Sequence, residues 1–133
     1  MKSPLKIFII LFTVMFSTTS FAEWTMVSVN EDSSAIFYLD FERIRESDGY
    51  VYYWQLTDYT KEPVVDRFFS SKGYFEGDCK LFRFRDLSWY FHYEPMGVGT
   101  PEVLKNVPDQ DWTYPPPKSV FEKVLTTVCN HIK

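Results

Sequence analysis

The side chains able to do chemistry in this 133-residue chain are few and scattered. Asp40 with Glu42, and Glu76 with Asp78, bring together the two carboxylates that acid–base hydrolysis uses. Each pair flanks an expected turn, however, where acids serve turn geometry. His92 has the ring of a general base or a metal ligand. Its aromatic neighbours favour a half-exposed strand position instead. His131 falls at the end of an expected helix, where a histidine suits the helix dipole. Gly97-Val98-Gly99-Thr100 shares only its two glycines with a phosphate loop, lacking the lysine and the strand-to-helix setting. No GxSxG, HExxH, CxxC or P-loop is present. No catalytic residue, metal ligand or cofactor is therefore expected.

What remains is chemistry of holding and binding. Cys79 and Cys129 are the only cysteines. In an oxidising compartment they should pair, and closing a loop of 50 positions stabilises by ~4 kcal/mol on the chain-entropy model. Arg83 and Arg85 share a strand face and can grip an anion or a partner's carboxylate. A solvated face backed by rings is the simpler reading. The run Trp89-Tyr90-Phe91-His92-Tyr93 has more rings than one small domain hides easily. Trp89, Phe91 and Tyr93, with Arg83 and Arg85, form the candidate binding surface. Its alternative is core on one face and a dimer contact on the other. Tyr114-Pro115-Pro116-Pro117 reads as a stiff approach to the last helix.

These residues need positioning elements, and the chain's first segment is not one of them. Lys2 and Lys6 precede an apolar run from Ile7 to Phe16, then a small, polar stretch with Ser20 and Ala22 before a cut. That order is a signal peptide over 1–22, cleaved between Ala22 and Glu23. The apolar run is shorter than the roughly 20 residues a membrane span needs. Glu23 stands where a lipid-anchored precursor has cysteine, so no lipid anchor is expected. The leader takes two lysines from the 14 basic residues, so 12 face 18 acidic ones and the net is −6. That balance argues against nucleic-acid binding and for solubility. The destination is the periplasm, the medium or the cell surface.

The remaining 23–133 has the length of one domain. Strands are expected at Trp24–Val29, Ala35–Asp40 and Tyr50–Tyr59. In the last, Tyr52, Trp54 and Leu56 share one face and Val51, Tyr53, Gln55 and Thr57 the other. Asp48-Gly49 signals a hairpin. A further strand is expected within Val64–Phe75, a turn at Gly77-Asp78, and a long strand over Cys79–Tyr93. Its alternation slips near Leu81, which suggests a bulge. Glu94–Thr100 reads as loop, Pro101–Pro108 as room for one short strand, and Asp109–Pro117 as irregular. Ser119 and Glu122 spell a capping box before apolar residues at helical spacing, with Cys129 on the same stripe. The fold class is α+β: a twisted antiparallel β-sheet with one C-terminal helix.

Taken in order, several features resemble the surface-adhesin protein E family. They are Trp24, Tyr38-Leu39-Asp40, Val51 to Trp54, Ser70-Ser71-Lys72, Asp78-Cys79 followed by Arg83 and Arg85, Gly97 or Gly99, Trp112, and Pro117 with Ser119 before a helix ending in Cys129. The resemblance implies about six strands, with the helix tied to the concave face by the Cys79–Cys129 disulfide. It also implies a homodimer and a lipid-anchored, non-enzymatic adhesin that binds host extracellular-matrix or serum proteins. Glu23 departs from that pattern at the lipid position. The rival reading is a periplasmic inhibitor or accessory subunit of an envelope complex.

Overall fold

A computed structural model describes residues 23–63, 67–106 and 108–133. The expected leader, and Val64 to Asp66 of the expected fourth strand, lie outside them. Among the described residues seven strands form one antiparallel sheet: β1 (Thr25–Val29), β2 (Ala35–Leu39), β3 (Arg45–Ser47), β4 (Tyr50–Tyr59), β5 (Ser70–Asp78), β6 (Arg83–His92) and β7 (Glu102–Lys105). The order is β1-β2-β4-β5-β6-β7, with short β3 also pairing β4. The sheet of about six strands that the resemblance implies is present, with six strands on the main path. The extra element is β3, hidden in a segment that reads as polar.

Turn chemistry joins the strands. Asp48 and Gly49 both take positive φ (52° and 83°), as a tight hairpin between β3 and β4 requires. Asp40 caps a 3-10 turn at Phe41–Arg43 by accepting the Glu42 N–H. The step from β5 to β6 differs from expectation. Gly77-Asp78 is still strand, and the turn is Cys79 to Phe82. Asp78 Oδ1 accepts the N–H groups of Lys80 and Leu81, and Phe82 sits at φ 51°. That turn, rather than a bulge at Leu81, accounts for the slipped alternation. A bulge does occur farther along. Tyr74 pairs with Ser88 and Phe75 with Asp86, leaving Leu87 over.

The helix α1 (Val120–His131) covers one face of the sheet. Ser119 Oγ accepts the Glu122 N–H, as the capping box predicts. The reciprocal bond shifts by one residue, because Glu122 accepts from the Lys118 N–H and the Ser119 N–H bonds the Pro116 carbonyl. Val124, Leu125, Val128 and Cys129 are buried against Leu39, Val51, Tyr53, Phe75 and Phe84. Phe84 stacks on Phe121 at 5.2 Å. The disulfide joins Cys79, at the β5–β6 turn, to Cys129 in the last turns of α1. It pins the far end of the helix where Ser119 fixes the near one.

Candidate functional site

Alternation sends every second residue of the central strands to the face away from α1. Register then assembles them in rows. Tyr52 of β4 pairs with Glu76 of β5, Trp54 with Tyr74, and Leu56 with Lys72; Lys72 in turn pairs with Tyr90 of β6. The result is a strip of half-buried rings. Trp54 stacks on Tyr74 at 4.7 Å and meets Tyr90 at 5.8 Å, and Tyr52 meets Tyr74 at 6.2 Å. At its margin Arg45 of β3 donates to the Tyr74 hydroxyl at 3.2 Å. Arg45, Glu46, Ser47, Tyr52 and Tyr74 line a shallow cavity of about 370 Å³. Rings with polar tips beside a guanidinium suit protein recognition, since each offers apolar area and a hydrogen bond.

The two ends of the strip are closed differently. At one end Trp112 lies over the sheet. Arg83 and Arg85 each place their guanidinium 4.4 Å from its ring centre, and Tyr50 meets it at 5.3 Å. Below, Arg83 pairs with Asp78 at 2.9 Å and Arg85 with Glu76 at 3.0 Å. Burial would raise the Asp78 pKa, but the Leu81 N–H, Arg83 and the Lys80 N–H outweigh it and hold the carboxyl below its ordinary range. At the other end residues 94–99 fold back over Leu56. Asp58 accepts the Met96 N–H at 2.9 Å and Ser70 Oγ the Gly97 N–H at 2.8 Å. His92 is buried there, its Nδ1 donating to the Gly99 carbonyl at 3.1 Å. Burial, then the Lys72 ammonium, holds this ring below the ordinary imidazole range, against its hydrogen bonds to Gly99 and Val98.

The expected binding residues fall on two faces. Arg83 and Arg85 belong to the Trp112 sandwich just described. Trp89, Phe91 and Tyr93 point to the helix side. Trp89 donates to Asp86 at 2.7 Å and sets its edge against Phe75 at 5.4 Å. Phe91 and Tyr93 meet Phe68 at 5.2 and 5.1 Å, and the Tyr93 hydroxyl bonds Glu102. Of these three, only Tyr93 is substantially exposed. Tyr52, Trp54, Tyr74 and Arg45 were not among the expected site residues, and Tyr90 was so only as part of the run 89–93. The shared face of Tyr52 and Trp54 was legible, but Tyr74 joins them only through the β4–β5 register.

Asp40, Glu76 and Asp78 serve structure. Asp40 caps its turn and pairs with Arg43 at 3.2 Å, and Glu76 and Asp78 hold the two arginines. Among the described residues no three His, Cys, Asp or Glu side chains converge as a metal site would need. No described helix is long and apolar enough to cross a membrane.

The sequence matches the family described as surface-adhesin protein E over residues 24–130. The chain belongs to the surface-adhesin protein E family. Its fold is shared by solved structures, among them two of protein E. Protein E from non-typeable Haemophilus influenzae superposes with a TM-score of 0.55 at 15% identity, covering 79% of this chain and 75% of that one. A second crystal form of Haemophilus influenzae protein E gives 0.57 at 17%, covering 84% of this chain and all of that one. No curated protein sequence matches the chain. In this surface-adhesin protein E domain the sheet, the terminal helix and the disulfide are the framework.

Proposed function

We propose that this protein is an exported, non-enzymatic binding module that acts as an adhesin at the cell surface, with host extracellular-matrix or serum proteins as partners. The observation that carries the reading is the stacked ring strip of Tyr52, Trp54, Tyr74 and Tyr90 on the face opposite α1. Membership of the surface-adhesin protein E family supports it. The carboxylates and His92 are engaged in turns, ion pairs and a loop anchor, which supports binding over catalysis. In this reading residues 1–22 are removed at Ala22–Glu23, and the mature domain 23–133 carries no lipid. A homodimer belongs to the same reading, and light scattering on the purified chain tests it.

Protease added to intact cells, with a periplasmic protein as control, is the first experiment. Digestion of this chain while the control survives is the expected result, followed by binding to immobilised matrix or serum proteins. Survival of both removes the surface role. The second reading then leads: an inhibitor or accessory subunit within the envelope. It draws on Glu23, which stands at the position a lipid anchor would need. A native pull-down that recovers an envelope complex would support it.

A further inference from the structure

We infer that the outer edge of β1, together with the first turns of α1, is a second binding site, one that takes an extended peptide strand from a partner protein. Among the described residues β1 pairs with β2 on one side only, so its other edge carries backbone donors and acceptors with no ladder. Natural sheets guard such edges with charge, proline or bulges. At the opposite edge β7 follows Pro101 and carries Glu102 and Lys105. β1 reads Thr-Met-Val-Ser-Val, with neither charge nor proline. Its one guard is the extra residue Val27, between the Met26–Tyr38 and Ser28–Phe37 pairs. Beyond that bulge the strand end is unguarded, and Val29 remains 41% exposed.

A groove of about 560 Å³ runs beside this same end. Ser28, Val29 and Glu31 line one wall, and Lys118, Glu122, Lys123 and Thr126 the other. Neither lysine has an ion pair among the described residues, while Glu122 between them is turned onto the Lys118 N–H. A strand laid along the edge would bond its backbone to β1 and run its side chains past α1, the geometry of β-augmentation. The five residues of β1 bound the recognition length at about five residues, or ~17 Å, and the Val27 bulge shortens the continuous ladder within it. With Glu122 engaged by the Lys118 N–H and Glu31 on the opposite wall, the two ammoniums favour a carboxylate on the side chain that passes the helix. This site is separate from the ring strip and does not depend on it.

A phage-displayed library of random linear dodecapeptides, panned on the purified protein, tests the inference. The enriched peptides should carry Asp or Glu and shift the amide resonances of residues 25–31 and 118–126. Bound peptide should slow hydrogen exchange in β1. N-methylating alternate amides of an enriched peptide should weaken it by about tenfold or more, because ladder bonds are lost. Lys118→Glu with Lys123→Glu should weaken it by about fivefold while the thermal transition stays in place. Four results would overturn the proposal: no enrichment, peptides that shift the Trp54–Tyr74 strip instead, binding indifferent to N-methylation, or a homodimer whose interface is the β1 edge.

Discussion

Gly77 shows how one side chain's absence sets the position of a helix. A Cβ there would lie 2.9 Å from Val51 Cγ1 and 3.0 Å from Leu125 Cδ1, both held in the core. Gly77→Ala should therefore cost about 1–3 kcal/mol by overpacking, read as a lower urea midpoint. The local sequence points elsewhere, because Gly-Asp is also turn chemistry. Only the helix arriving from residues 120–131 shows why glycine is needed mid-strand. His92 gives a second residue-scale test. Its folded pKa lies below the ordinary 6.5, so the unfolded chain takes up the proton first. The stability it contributes is present above pH ~6.5 and is lost as pH falls through the folded value. His92→Gln should flatten the fall in urea midpoint as pH drops below about 6.5, a window that opens above the range in which Asp78 titrates. An unchanged slope would place the acid sensitivity on another group.

At the scale of elements, α1 is held at both ends by different means. Ser119 accepts the Glu122 N–H and donates to the Pro116 carbonyl at 2.7 Å. Ser119→Ala should cost about 1 kcal/mol, measured by chemical denaturation. Removing the disulfide by Cys79→Ala with Cys129→Ala should cost about 2–5 kcal/mol, and reduction of the native protein should reproduce that loss. If the double mutant equals the native protein, packing of Val124, Leu125 and Val128 alone holds the helix. The helix, its cap and its cysteine were all legible, because 3.6-residue spacing and a capping box are local signals. Strand β4 was legible for the same reason, at period two. The β5–β6 connection was not. Both Gly77-Asp78 and the Leu81 slip can be explained locally in two ways, and only pairing of Asp78 with Arg83 selects the turn at 79–82.

At the scale of the whole molecule, one face is occupied by the helix and the opposite one presents rings. The sequence revealed a surplus of aromatics without showing how they divide. Trp89, Phe91 and Tyr93 go to the helix side, and Tyr90 goes to the other. Trp112 also lay beyond local reading, since it reaches Arg83 and Arg85 from a segment with no regular spacing. The division makes the proposed adhesion testable by face. Tyr74→Ala removes the ring that Tyr52 and Trp54 both meet, together with the hydroxyl that accepts from Arg45. Each ring contact is worth about 0.5–1.5 kcal/mol, so some stability should be lost, but the fold should persist. Tyr93→Ala is the matched control, an exposed tyrosine on the helix side. Binding to whichever matrix or serum protein the native chain retains should fall about tenfold or more for Tyr74→Ala and stay near native for Tyr93→Ala. Equal losses in both variants would mean that the rings act through stability. A loss confined to Tyr93→Ala would move the binding surface to the helix side, among the residues first suggested by the aromatic run.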